Sequence, residues 1–287
     1  MDSISRRDAL RSLAAAGIGV RLARSAAPAF RIGVTDWNLR LGANPEAVPL
    51  AAKLGFDGVQ VSFGRKLVDD KLPVDNPATL AQYLKLAADH NIAIDGTCVD
   101  KLHDNGLKSD KLAVRWVSDS IRLTKALNTK VLLLPFFGRW AIKAADEQKY
   151  VGDALRELAP EAEKAGVILG LEDTISAEEN VRIMDRAGSR NVLVYYDVGN
   201  STIAGYDVVK EIRWLGKDRI CQIHLKDNPN YLGDGKIEFD KVMRSIADAG
   251  FKQWAVLETD SPSGTIEADM KKNLTFVQRM MAQTPGM

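Results

Sequence analysis

The sequence predicts an α/β protein with a single (β/α)8 TIM barrel, and three observations carry that expectation. Strand-like and helix-like segments alternate from Phe30 onward with little interruption, making eight units. They fill about 250 residues, the usual size of one such barrel. No interior linker or low-complexity run marks a second domain. The rival is an open doubly wound sheet, which usually has fewer strands, and no G-x-G-x-x-G turn follows the first strand.

The elements follow in order. Arg31–Thr35 reads as a strand, and Asn44–Leu54 as a helix opened by Asn44-Pro45, a cap followed by proline in the first turn. Gly58–Ser62 is the second strand, before a helix over Pro77–His90 with Asn76 as its cap. Ile92–Cys98 precedes a long helix from Asp110 to Leu127. Val131–Pro135 is nearly all apolar, as expected of a strand covered on both faces. The helix over Glu147–Ala165 stops at Gly166. Then come Val167–Glu172 with Ala177–Ala187, Val192–Asp197 with Asp207–Leu215, and Ile220–Lys226 with Phe239–Ala249, which stops at Gly250. Trp254–Glu258 and Ile266–Met281 complete the set.

Residues 1–29 read as an address. Ser5-Arg6-Arg7 precedes a modestly apolar run from Leu10 to Val20, and Ala27-Pro28-Ala29 has the small-x-small form of a cleavage site. The paired arginines resemble a twin-arginine signal, with Ala9 where such signals usually carry Phe. The expectation is an exported, periplasmic or extracellular protein whose mature barrel is 30–287. Without the first 29 residues, 34 basic and 36 acidic residues remain, so the charge gives no support for nucleic-acid binding. No run of 18 apolar residues exists, so no membrane span of usual length is expected. Cys98 and Cys221 each fall in an apolar segment and are expected to be buried free thiols. The oligomeric state is left open, with a homo-oligomer allowed.

The strand ends carry the chemistry. Ile220 to Asp227 alternates with a period of two, which puts Cys221, Ile223 and Leu225 on one face and Gln222, His224 and Lys226 on the other. In a barrel, active sites lie at the C-terminal ends of the strands. Strands five to eight end on Glu172, Asp197, His224 and Glu258. If Leu169/Leu171, Val194/Tyr196, Ile223/Leu225 and Ala255/Leu257 face the helices, all four polar residues point inward. Three carboxylates in one mouth repel one another and resist desolvation unless a positive charge sits among them. One divalent metal ion is the expected cofactor, Mn2+ first, with Mg2+, Co2+ and Zn2+ admitted by the same ligands.

The strand–helix order together with Glu172, Asp197, His224 and Glu258 resembles the xylose-isomerase-like sugar isomerase/epimerase barrels, over essentially everything after the signal. The sharpest local match is His224-Leu225-Lys226-Asp227 followed by Gly233-Asp234-Gly235-Lys236-Ile237-Glu238-Phe239. The resemblance implies that the four strand-end residues hold the metal and that Glu172 and Glu258 also shuttle protons at the substrate carbon. The implied reaction is proton abstraction next to a carbonyl, through an enediolate that the cation stabilises. Two carboxylates on opposite sides of that carbon can take a proton from one face and return it to the other. Asn200 stands where many members carry a substrate-contacting His, and Gln60 where Glu is common.

Among the remaining candidates, Lys226 is expected to stabilise oxyanion charge. Trp37 and Phe136 (with Phe137) are expected to wall a sugar pocket, with Asn200 binding a hydroxyl and Arg139 an anionic substrate group. His90 and His103 read as structural or surface residues. The favoured function is a metal-dependent isomerase or epimerase of a free sugar or sugar derivative. Export favours an unphosphorylated substrate. The alternative is a lyase or dehydratase on a keto-sugar or 3-keto-glycoside, as in the inosose dehydratases of the same barrels, which shares the first proton loss. A non-catalytic sugar-binding barrel is a third reading. A multi-zinc endonuclease would need more histidines than the three present.

Overall fold

Eight short segments, rich in Val, Leu and Ile on one face, pair in parallel, each with the next, and the eighth closes on the first. The computed structural model describes residues 30–287, so the expected signal segment 1–29 lies outside the described residues. The strands are β1 Arg31–Thr35, β2 Gly58–Ser62, β3 Ala93–Cys98, β4 Val131–Pro135, β5 Ile168–Glu172, β6 Val192–Asp197, β7 Ile220–Leu225 and β8 Trp254–Leu257. The helices are α1 Ala47–Leu54, α2 Pro77–Asp89, α3 Lys111–Ala126, α4 Ala145–Ala165, α5 Ala177–Ala187, α6 Val198–Ile203, α7 Val208–Arg219, α8 Phe239–Asp248 and α9 Ile266–Gln283. The (β/α)8 barrel expected from the alternation is the fold observed.

Local chemistry sets the helix ends. The Asn76 side chain accepts from the Ala78 and Thr79 amides at the start of α2. Ser176 and Glu179 form a capping box on α5. Gly166 ends α4 at φ 73°, a left-handed turn that costs glycine least. Two features were not expected. The six-residue α6 starts directly after β6, capped by Asp197. Short 3-10 turns, Asp100–His103 and Gly138–Trp140, occupy the connections after β3 and β4.

The outward residues of the late strands, Leu169, Leu171, Val194, Tyr196, Ile223, Leu225, Ala255 and Leu257, lie in one core shared with the helices. Burying each such leucine or isoleucine contributes about 1.5–3 kcal/mol. The barrel interior holds a second cluster of Cys98, Val131, Leu133, Tyr195 and Cys221. Here the expected alternation on β7 fails at one residue. Val194 pairs with Ile220 but Tyr195 pairs with Gln222, so Cys221 is the extra residue of a β-bulge. The bulge turns Cys221 inward, beside Gly170, rather than outward with Ile223 and Leu225. Both cysteines are free and buried.

Candidate metal centre and active site

β5, β6 and β7 carry Glu172, Asp197 and His224 to the barrel mouth, each 3% exposed or less. Glu258 follows β8, where its amide donates to the Leu225 carbonyl at 3.2 Å and extends the β7–β8 ladder by one residue. One ligand atom from each of the four lies within 4.8 Å of all the others.

Asp197, His224 and Glu258 are each held by a partner outside this set, whereas Glu172 contacts His224 within it. Asp197 caps α6, its Oδ1 accepting from the Asn200 amide at 2.7 Å. Its Oδ2 is buried with no aligned hydrogen bond, facing Lys226 Nζ at 3.1 Å and His224 Nδ1 at 3.7 Å. His224 Nε2 lies 2.8 Å from Gln60 Oε1. An amide oxygen only accepts, so Nε2 carries the proton and the Nδ1 lone pair faces the cluster. From Nδ1 it is 2.8 Å to Glu172 Oε1 and 3.5 Å to Glu258 Oε2. Tyr195 donates to the same Gln60 oxygen at 3.3 Å and lays its ring 4.5 Å from the imidazole. Trp37 Nε1 donates to Glu258 Oε1 at 3.1 Å, and Lys226 Nζ bonds Glu258 Oε2. Gly199 makes room for that lysine, because a Cβ there would lie 2.4 Å from Lys226 Cγ.

These residues fit a divalent cation. Three carboxylates and one imidazole nitrogen converge, the tautomer is fixed from behind, and a buried carboxylate oxygen has an unmet valence. The charges are unevenly shared. Burial, with the nearby charge of Glu258, raises Glu172 well above the usual carboxylate range. Burial raises Asp197 as well, against the pull of Lys226. Burial acts on Glu258 in the same direction, but the paired Lys226 ammonium holds that carboxyl below its ordinary value. Burial disfavours the Lys226 ammonium, yet Asp197, Glu258 and Glu172 keep it protonated beyond its ordinary range. Burial lowers His224, which favours the neutral ring a metal requires.

The cluster opens into a cavity of about 420 Å3. Trp37, Asn200, Lys226, Glu172 and Glu258 all line it. Two expectations are corrected. Phe136 is fully buried in the outer core and does not line the cavity; Phe137 does. The two-residue period continues past β4, so Pro135 and Phe137 face inward and Phe136 outward. Arg139 is exposed, donates to the Asp104 carbonyl at 3.1 Å and stands over Trp140, away from the cavity. The arginine that lines the cavity is Arg65. His103, read as a structural or surface residue, also lines it, whereas His90 is exposed at the end of α2.

Sequence reasoning gave no role in the site to Gln60, Tyr195, Arg65, Asp100 or His103. The signal for Gln60 was present, as an inward amide on β2. Asp227, in the matched His-Leu-Lys-Asp stretch, anchors the following loop, with Oδ2 accepting from the Gly233 and Gly235 amides at 3.2 and 3.0 Å. A larger groove of about 650 Å3 lies between α9 and Tyr231–Asp234, with one acidic side chain and no convergent acid/base set.

Residues 48–280 match the family described as xylose isomerase-like TIM barrel. The chain belongs to this family. Within the xylose isomerase-like barrels, it is 30% identical over 203 residues to a 2-epi-5-epi-valiolone 7-phosphate 2-epimerase of an Actinoplanes species, covering 69% of this chain and 73% of that one. It is 23% identical over 238 residues to the D-psicose 3-epimerase of Enterocloster bolteae, covering 76% and 77% of the two chains. Among solved structures, D-psicose 3-epimerase from Clostridium cellulolyticum H10 with D-tagatose superposes with a TM-score of 0.73 at 18% identity, covering 88% of this chain and 99% of that one. These relatives are sugar epimerases, and the last likeness is one of fold.

Proposed function

We propose that this protein is a metal-dependent carbohydrate epimerase that moves a proton at the carbon next to a carbonyl. The observation that carries this reading is the convergence of Glu172, Asp197, His224 and Glu258 at the mouth of one cavity. A divalent cation held there would polarise a substrate carbonyl and its neighbouring hydroxyl.

The chain's own residues supply the rest. Glu172 and Glu258 reach the cavity from the ends of β5 and β8, with two strands between them. Their environments push their protonation in opposite directions, as an acid and a base working together require. Glu258 is the base. Trp37 fixes one of its oxygens and Lys226 the other, so the carboxylate is oriented before substrate arrives. Glu172 is the acid that returns a proton to the opposite face. The Lys226 ammonium balances negative charge that develops on substrate oxygen. Asn200, lining the same cavity, donates to or accepts from a hydroxyl without exchanging a proton near neutral pH.

The test is deuterium exchange. Mn2+-loaded protein incubated with D-fructose and related ketohexoses in D2O should place deuterium at one carbon and yield an epimeric pair, followed by NMR. Glu258→Gln should slow this by about 10²–10⁴-fold. Loss of water or of an aglycone would instead identify a lyase. Tight metal with no exchange from any ketose would leave a sugar-binding barrel.

A further inference from the structure

We propose that the part of the cavity wall built from the connections after β2, β3 and β4 is a second recognition subsite, made by Arg65, Asp100, His103 and Phe137, that takes a neutral hydroxyl-bearing group and rejects a phosphate. It rests on the carbohydrate reading above and names the class of substrate. The four residues come from the connections after β2, β3 and β4 and line the same cavity as the proposed metal centre, whose ligands come from β5 to β8.

Two of them offer polar groups with unmet valence. Asp100 Oδ1 is buried and has no hydrogen-bond partner. Such an acceptor is costly to leave unmade, and turning the carboxyl toward the cavity that Asp100 lines would let a ligand hydroxyl satisfy it. The His103 side chain makes no hydrogen bond among the described residues, and burial lowers its pKa, so it offers one donor and one acceptor as a neutral ring. His103 also stacks on Phe137, with ring centroids 6.3 Å apart and planes 25° apart, giving a flat apolar face of the kind on which a sugar's C–H groups rest.

Charge decides between a neutral and an anionic ligand. The Arg65 guanidinium lines the cavity but is committed to Asp104, whose carboxyl that pairing holds below its ordinary value. Lys101 Nζ is likewise tied to the Arg65 carbonyl at 3.0 Å and Asp104 Oδ2 at 3.1 Å. Two cations therefore face two carboxylates, Asp100 and Asp104, and no net positive charge is left for a phosphate. Burial pushes Asp100 up to about 6, so at pH 8 it is ionised and repels an anion. The neutral group comes either from the far end of the same sugar or from the second ring of a glycoside.

The experiment compares D-fructose, D-fructose 6-phosphate and isomaltulose, which differ only at carbon 6, by calorimetry on the Mn2+-loaded protein at pH 8. The neutral ligands should bind at least about tenfold tighter than the phosphate ester, because a like charge must otherwise be brought against Asp100. Tighter binding of isomaltulose than of fructose assigns the subsite to a second ring, and the reverse order assigns it to the far end of a single sugar. Asp100→Asn should cut the discrimination against phosphate about fivefold or more, since it removes the repelling charge and a charged acceptor. As a second variant, Phe137→Ala should weaken neutral ligands about fivefold without altering the discrimination.

Equal or tighter binding of the phosphate ester overturns the subsite, as does an unchanged ratio in Asp100→Asn or binding of none of the three. Deuterium exchange in the same samples keeps the two claims apart. Exchange that prefers the phosphate ester removes the subsite and leaves the epimerase. Neutral-selective, Asp100-dependent binding without exchange removes the epimerase and leaves the subsite.

Discussion

The barrel buries carboxylates at both ends of its interior, and they are handled in opposite ways. Near the bottom, Asp95 is 3% exposed and neither of its oxygens has a hydrogen-bond partner. Glycines 33 and 58 leave it space; a Cβ on Gly33 would lie 1.9 Å from its Oδ2. Burial raises it well above 3.8, only partly offset by Arg31, so this lone acid avoids a buried charge by keeping its proton. At the mouth, Glu172, Asp197 and Glu258 crowd around one imidazole and one ammonium, and at least one carboxylate stays ionised. Burial alone produces a protonated acid; convergence produces a place for a cation. Only the second arrangement has unmet valence pointing at a shared centre.

Three substitutions put that contrast at risk. The largest effect is expected at the mouth. His224→Ala removes the only nitrogen of the proposed ligand set, and Mn2+ affinity by calorimetry should fall by more than about 100-fold, beyond the range seen for outer partners. Gln60→Leu leaves all four ligands in place but frees the imidazole tautomer, so the loss should be about 10–100-fold. An unchanged affinity there would remove the role given to the His224–Gln60 hydrogen bond.

The smallest effect belongs to the bottom. The proton on Asp95 is bound more tightly in the folded chain than in the unfolded one. Its contribution is therefore fully present below pH 3.8 and is lost as pH rises toward its higher folded value. Melting temperatures measured from pH 4 to pH 8 should decline in the parent protein and decline less in Asp95→Asn, whose amide does not titrate. The same variant should bind Mn2+ within about twofold of the parent, since sites without shared partners behave independently. A large change in metal affinity would mean that the two ends of the barrel are coupled.

The two ends also differ in how far they could be read from the chain. The proposed ligand set was legible because strand parity is strict: one misplaced residue among Glu172, Asp197, His224 and Glu258 would have faced the helices. The same rule, continued one residue past β4, selects Phe137 over Phe136. Arg139 was chosen by residue type alone, and loops carry no period to correct such a choice. Arg65, Asp100 and His103 were invisible for that reason, since they come together only when the connections after β2 and β3 fold over the mouth. The helix α6 was missed because its cap, Asp197, was already accounted for as a strand end.

The bulge at Cys221 separates two halves of β7 that would otherwise be locked in phase. Below it, Ile220 keeps step with Val194; above it, Gln222 and His224 keep step with Tyr195 and Asp197. A one-residue deletion at Cys221 would restore plain alternation while leaving His224 opposite Asp197. Without such a slack point, a one-residue insertion or deletion lower in the strand would rotate the imidazole out of the mouth. The floor of the barrel is thus free to drift in length and packing while the upper register, and the chemistry it carries, stays in place.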